Sequence, residues 1–264
     1  MHGMMLNVWK ETRMDTTSSS KRVSSERWKQ AQDWELVLWE SIERKKGWKL
    51  PIWIVLRPFF RLLGLPGGAR DDYNYWWEEQ FGYYRYLPAR IGNYIELGCG
   101  PYTNTRLILK DREADYIFLN DPLIRNYVRY KHTWLAERYR AGDVCIDPHP
   151  AEDIPFADES FDVVVMINVL DHVRDVDLCL HNATRITKKG GVFLLGQDLT
   201  NQEDILKYPH DVGHPIHLHL DDLIPHLKDF SPIYHKNLTR SNGRNPDAHY
   251  ATLIFAGQKN LSST

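Results

Sequence analysis

A chain of 264 residues is long enough for one large α/β domain with an accessory segment and a sizeable core. Its 33 basic and 35 acidic side chains leave a formal net charge of -2, which excludes the basic field that extended nucleic-acid binding requires. The cysteines, Cys99, Cys145 and Cys179, are odd in number and far apart, so neither a disulfide framework nor a zinc spacing is present, and a reducing, cytoplasmic setting is expected.

Residues 1–23 hold no periodic apolar pattern and read as a flexible tail without a secretory signature. Ser24 or Ser25 can cap a helix in which Trp28, Ala31, Trp34, Leu38 and Ile42 recur at helical spacing. Pro51 and Pro58 are expected to break the apolar stretch that follows, and Pro66-Gly67-Gly68 to form a turn. Arg57 and Arg61 interrupt the run from Leu50 to Leu65, so it does not span a bilayer. Composition favours a packed helix or lid there over peripheral membrane contact through Lys45, Lys46 and Lys49. Residues Asp72 to Phe81 form another helix, and residues 24–88 as a whole read as a helical cap.

Strands and helices alternate through residues 89–264. Tyr94 to Leu97, Tyr116 to Leu119, Val144 to Ile146, Phe161 to Ile167 and Val192 to Leu195 are expected strands. Helices are expected from Thr103 to Lys110 and from Val169 to Thr187, the latter stopped by Gly190-Gly191. Two closing antiparallel strands, Ile233 to Leu238 and Ala251 to Ala256, flank a loop at residues 241–246. Such alternation argues for an open, mostly parallel sheet.

The first strand ends in Glu96-Leu97-Gly98-Cys99-Gly100, where glycines let the backbone turn sharply toward a nucleotide-type ligand. A dinucleotide fingerprint wants a third glycine where Thr103 stands, and Glu96 at the mouth of the turn repels a pyrophosphate. Both features argue against a nicotinamide oxidoreductase and for a cationic ligand such as S-adenosylmethionine. Asp121, at the end of the next strand, sits where a carboxylate reaches a ribose diol, although Asn120-Asp121-Pro122 is also ordinary turn chemistry.

These landmarks, with Ala151-Glu152-Asp153-Ile154-Pro155-Phe156, Asn168-Val169-Leu170-Asp171-His172 and Lys188-Lys189-Gly190-Gly191, resemble the class I S-adenosylmethionine-dependent methyltransferases of the type 11 kind over about residues 90–200. The resemblance implies a Rossmann-like seven-stranded sheet, mostly parallel with an antiparallel last strand, here with an N-terminal helical cap. It also implies that Gly98 and Gly100 pass beneath the methionine part of the cofactor and that Glu96 helps hold its ammonium. Asp121 would take the ribose, Glu152 and Asp153 would stand near the adenine, and Asn168 would line the floor beneath the sulfonium. Pro150 departs from the family, which often has an acidic residue there.

Three readings of His172 stand open: a general base, a packing histidine, or a metal ligand. Some related methyltransferases bind a divalent ion through Glu-x-x-Glu-His at this place, but Asn168 removes the first carboxylate, and no metal is assigned. Asp198, past the fifth strand, is placed to face the acceptor and to orient a histidine base. Of four histidines between His210 and His219, His214 in a Gly-His-Pro turn is expected to reach the site, and one of His217 and His219 to be exposed. Ala31-Gln32, Trp34-Glu35, Asp211 to Ile216 and Gly243 to Pro246 resemble segments of methyltransferases of bacterial surface-polysaccharide and sugar biosynthesis. The expected partner is therefore a small-molecule or glycan acceptor, with a methyltransferase-like binding protein lacking turnover as the competing class.

Overall fold

The computed structural model describes residues 21–62, 73–207, 211–243 and 251–261, with the side chains of residues 45–62 and of 73, 202, 204 and 207 outside that description. The tail at 1–20, the turn at 66–68, the loop at 244–250 and His210 lie outside the described residues.

Seven strands form one sheet: β1 (Arg90–Leu97), β2 (Glu113–Asn120), β3 (Cys145–Asp147), β4 (Phe161–Ile167), β5 (Thr187–Leu199), β6 (Phe230–Leu238) and β7 (Ala251–Lys259). Their order is β3-β2-β1-β4-β5-β7-β6. β1, β2, β3, β4 and β5 pair in parallel, and β7 runs antiparallel to both β5 and β6. β4 is central because Val163, Val164, Val165 and Met166 carry no polar side chain, which suits a strand covered on both faces. Both faces are in fact covered. One core joins β4 and β5 to helix Val176–Ile186, and the other joins them to Trp77, Phe81 and Tyr84 of the cap.

Four longer helices surround the sheet: α1 (Ser25–Leu62), α2 (Tyr73–Gln80), α3 (Trp134–Ala141) and α4 (Val176–Ile186). α1 continues through Pro51 and Pro58, contrary to the expected breaks; a proline deletes one backbone donor and bends a helix without having to end it. Lys21 to Val23 are not part of a free tail, because they pair with the segment before α4. Val23 N donates to Arg174 O at 3.0 Å, Val176 N donates to Lys21 O at 3.0 Å, and Arg22 pairs with Asp175 at 2.7 Å.

Two expected helices shrink. The turn after β1 yields only a short helix at Thr105–Ile108. Residues 168–175 are turns rather than helix, since Asn168 has a φ of 57° and Asp175 caps α4 by accepting from Leu178 N at 3.1 Å. Asn168, Asp171 and His172, three and four residues apart, therefore share an irregular turn and not one face of a helix.

The cap meets the sheet at Gly196, where a Cβ would lie 2.7 Å from Trp77 and 3.1 Å from Phe81. A Gly196→Ala substitution is expected to destabilise the chain by about 1–3 kcal/mol through overpacking. Urea unfolding followed by tryptophan fluorescence measures this; an unchanged midpoint would mean that α2 does not press on β5.

Candidate active site

The carboxyl ends of β1, β2 and β4 open into a cavity of about 540 Å3, roofed by α1 and α2. Open α/β sheets bind ligands at this edge because the strand order reverses there and the loops diverge. β1 has β2 on one side and β4 on the other, which makes it the switch point.

The glycine turn forms the floor. Gly98 (φ 65°) and Gly100 (φ 56°) both adopt the left-handed region. A Cβ on Gly98 would stand 2.4 Å from Val169, whereas one on Gly100 would meet open space. Glu96 lies behind this turn and is buried. Its carboxylate accepts from Asn104 N at 3.0 Å, Asn104 Nδ2 at 3.2 Å, Thr105 N at 2.9 Å and the hydroxyls of Thr103 and Thr105. Those donors account for the lone pairs of both oxygens, and Glu96 is absent from the cavity lining. Glu96, expected to help hold an ammonium, is here committed to the donors at the start of the next helix.

Asp121 does line the cavity. Its Oδ2 accepts from Gly100 N at 3.1 Å and its Oδ1 from Leu123 N at 2.8 Å. Burial, and then the facing Glu35 carboxylate, push the Asp121 carboxyl up from the ordinary range. Glu152 also lines the wall and accepts from Arg174 N at 2.6 Å and Asp175 N at 3.0 Å. Asp153 points away and pairs with Arg174 at 3.0 Å on a half-exposed surface.

Three lining residues, Asn104, Asn120 and Asn168, each keep a buried amide oxygen without a hydrogen-bond partner. For Asn104 and Asn120 the amide nitrogen is already committed, to Glu96 and to Asp147 at 2.7 Å, which fixes the oxygen as the outstanding group. Buried acceptors of this kind call for donors from a ligand.

A second group of side chains gathers beneath α1. His172 Nδ1 stands 3.7 Å from Glu35 Oε2, and His172 Nε2 stands 3.9 Å from Asp171 Oδ1. The His172 and His214 rings lie 4.7 Å apart, and His214 Nε2 is 4.0 Å from Asp171 Oδ2. His214 Nδ1 bonds Asp211 Oδ2 at 2.7 Å. Burial disfavours the His214 cation, but the Asp211 bond and the charges of Asp171, Asp211 and Glu35 raise its pKa to about 9. Burial also opposes the charge on Asp171, yet His172, His214 and the Gln197 bond hold it below the usual carboxylate range.

His172 is part of the cavity wall, and His214 supports it from one side. Asp198 is buried beside β7, where it accepts from its strand partner Thr252 Oγ1 at 3.0 Å, and it is not among the residues that line the cavity. His217 and His219 are both half-buried around the buried Leu218, so neither is the exposed partner that alternation suggested.

Sequence reasoning read a helical cap and singled out Ala31-Gln32 and Trp34-Glu35, but it assigned none of the cap residues to the cavity wall. Trp28, Gln32, Glu35, Trp39 and Ile42 line the cavity at spacings of four and three residues, one helix face. The signal was available as a stripe of mixed polarity, whereas the apolar periodicity followed Trp28, Ala31, Trp34, Leu38 and Ile42. Asn74 adds a further bond, its Nδ2 donating to Tyr102 O.

Residues 95–195 match a sequence family described as "Methyltransferase domain". A comparison with curated proteins gives no match. Among solved structures, the N-methyltransferase NodS from Bradyrhizobium japonicum WM9, in complex with S-adenosyl-L-homocysteine, is similar at a TM-score of 0.55 and 14% identity, over 72% of this chain and 89% of that one. YcgJ from Bacillus subtilis is similar at a TM-score of 0.52 and 17% identity, over 67% of this chain and 94% of that one. Geranyl diphosphate C-methyltransferase from Streptomyces coelicolor A3(2) is similar at a TM-score of 0.54 and 11% identity, over 69% and 77% of the two chains. At these identities the structural likeness speaks for the fold, and the family match speaks for the activity. Residues 95–195 carry a methyltransferase domain of the class I fold, and the chain is an S-adenosylmethionine-dependent methyltransferase.

Proposed function

We propose that the enzyme methylates a hydroxyl of a small neutral acceptor, a sugar or glycan precursor being the class that suits the site. The observation that carries this reading is His172, whose ring sits on the cavity wall with a buried Nδ1 that makes no hydrogen bond. Glu35 and Asp171 flank it at 3.7 and 3.9 Å. Histidine is the side chain suited to proton transfer near neutral pH, and a hydroxyl acceptor must lose a proton as the methyl arrives. Trp28 and Trp39, on the cap side of the cavity, offer flat apolar faces beside the polar Gln32 and Glu35. That mixture suits an acceptor with both faces and hydroxyls.

The cofactor half of the cavity fits a cationic, donor-rich molecule: Gly98 and Gly100 leave room for close approach, Asp121 supplies a carboxylate, and Asn104, Asn120 and Asn168 supply outstanding acceptors. Glu152 borders the adenine side. S-adenosylmethionine supplies a sulfonium methyl that is transferred by in-line displacement and needs little covalent help. His172 takes the hydroxyl proton as the new O–C bond forms. His214, held as a cation by Asp211, is not the base; it and Asp171 pack beside His172 and set its position. Unpaired Cys99, Cys145 and Cys179 fit a cytoplasmic enzyme, and no helix among the described residues is long and apolar enough to cross a membrane.

Titration of the purified chain with S-adenosylhomocysteine by calorimetry should give one site, weakened at least about tenfold in Asp121→Ala by loss of a charge-assisted bond pair. His172→Ala should retain that affinity and lower turnover on a responsive sugar or nucleotide-sugar by at least about tenfold. Equal turnover in the variant removes His172 as base, and turnover confined to amine acceptors removes the hydroxyl reading.

The His214–Asp211 pair makes a separate prediction. His214 is raised from 6.5 to about 9, so its share of stability is complete below pH 6.5 and is lost as pH climbs through about 9. Asp211 is lowered from 3.8 to about 2, so its share is complete above 3.8 and is lost as pH falls through about 2. The Tm gap between wild type and Asp211→Asn should therefore be widest between those limits, near pH 4 to 6.5, and shrink toward pH 9. A gap that stays constant from pH 4 to pH 9 contradicts the pairing.

A further inference from the structure

Three carboxylates, Glu35, Asp121 and Glu152, line the cavity, and among the described residues no lysine or arginine joins them there. Two of the three are committed. Asp121 accepts from Gly100 N and Leu123 N, and Glu152 accepts from Arg174 N and Asp175 N, so each anion is met by two backbone donors. Glu35 is not met in this way. Its Oε1 accepts from the neutral indole Nε1 of Trp39 at 3.1 Å, which fixes the carboxylate without neutralising it. Among the described residues the charged neighbour of its Oε2 is His172 Nδ1 at 3.7 Å, too far for a hydrogen bond. The Glu35 side chain is only 18% exposed, so water compensates little of its charge.

The neighbours of Glu35 along α1 place it over the middle of the cavity. Trp39, one turn on, sets its ring 5.4 Å from that of Tyr102, just past the glycine turn. Trp28, two turns back on the same face, donates from Nε1 to His172 O at 3.1 Å, in the turn after β4. α1 thus crosses from the β4 turn to the glycine turn, with Glu35 on the stretch between them. Asp121 feels the Glu35 charge across the same space. In S-adenosylmethionine one methylene joins the sulfur to the ribose, and the methyl to be transferred points from the sulfur toward the acceptor. A carboxylate that faces Asp121 on one side and His172 on the other stands where the ribose end meets the acceptor end. We propose that Glu35 recognises the sulfonium charge of the cofactor, and that this cap residue lets the cavity distinguish S-adenosylmethionine from S-adenosylhomocysteine. The assignment rests on Asp121 marking the ribose end, and not on the class of acceptor.

The two molecules differ by one methyl and one positive charge. A methyl alone gives modest discrimination, whereas a unit charge facing a poorly solvated carboxylate gives far more. Asp121, Glu152 and the outstanding amide oxygens of Asn104 and Asn120 lie where ribose, adenine and the amino-acid part are common to both molecules, so they cannot supply the difference. When the methyl leaves, the electron pair of the broken S–C bond stays on sulfur, and the product is a neutral thioether. The attraction to Glu35 is lost with the charge. Glu35 therefore strengthens binding of the reactant and weakens retention of the product, and it acts on occupancy rather than on the transfer step.

The test is calorimetric titration of the full chain, wild type and Glu35→Gln, with three ligands. These are S-adenosylmethionine, S-adenosylhomocysteine and sinefungin, in which an amine replaces the methylated sulfur. Glutamine keeps an acceptor for Trp39 Nε1 and removes the charge. Glu35→Gln should weaken S-adenosylmethionine and sinefungin at least about tenfold and S-adenosylhomocysteine less than about threefold. The S-adenosylhomocysteine titration also reports the fold of the variant and the ammonium that all three ligands share. Equal weakening of the three assigns Glu35 to a shared group or to the fold and overturns the proposal. Unchanged affinity for all three overturns it as well. Asp121→Ala, titrated alongside, should weaken all three, because each carries the ribose. If Asp121→Ala binds all three as wild type does, the orientation fails and the assignment of Glu35 falls with it. If Asp121→Ala weakens them and Glu35→Gln does not separate them, the assignment of Glu35 alone is overturned.

Discussion

One buried carboxylate organises the cofactor edge of the sheet. Glu96 is only 1% exposed, and burial of an uncompensated charge costs several kcal/mol. The backbone and side chains of Thr103, Asn104 and Thr105 supply donors to both oxygens, so the charge is fully hydrogen-bonded. Those bonds tie the last turn of β1 to the start of the following helix and pin the glycine turn at both ends. With the turn fixed, Cys99 N reaches Asn120 O at 2.9 Å and Gly100 N reaches Asp121 at 3.1 Å. The ends of β1 and β2 are thereby held in one arrangement, and the cavity inherits its floor and one wall from it.

The opposite wall is built from a turn, and Gln197 holds it. Its Oε1 accepts from Val169 N at 3.2 Å and Leu170 N at 2.9 Å, while its Nε2 donates to Asp171 at 3.1 Å. Asn168 N donates to Gly196 O at 2.7 Å, which bends the chain immediately after β4. The N-terminal segment clamps the same turn from outside through Val23, Arg22 and Trp28. A polar side chain at the end of β5 and a strap from the start of the chain thus set the position of Asp171 and His172, neither of which has regular secondary structure around it.

The sheet was legible because its strands are apolar runs bounded by turn residues, and β4 spans the expected Phe161 to Ile167. Gly98, Gly100, Asp121, Glu152 and Asn168 were also legible, since each sits at a strand end where topology alone brings it to the cavity. Glu96 and Asp198 reach strand ends too, but local donors hold both away from the cavity, and a sequence pattern carries neither fact. Glu35 was hidden for a different reason. Hydrophobic periodicity marks the face of a helix that packs on a core, and the face of α1 that meets a ligand cavity is polar in places, with Gln32 and Glu35 among tryptophans. Trp34, which the apolar pattern favoured, is instead 40% exposed, although its ring lies where a Cβ on Gly213 would come within 2.5 Å. His214 was legible as a residue near the site and its salt-bridge partner Asp211 is local in sequence, whereas the added charges of Asp171 and Glu35 depended on the fold bringing them to it.

The same hidden residue links the two halves of the cavity. Asp121 rises from the end of β2 and Glu35 descends from α1, and their mutual repulsion is second only to burial in pushing Asp121 up. The carboxylates belong to different parts of the fold, so docking α1 places like charges in one enclosed space and carries an electrostatic cost. A cationic ligand in the cavity offsets that cost, and by reciprocity a docked cap binds the cation more tightly than an undocked one. The charge on Glu35 therefore favours a cationic occupant of the cavity from the cap side.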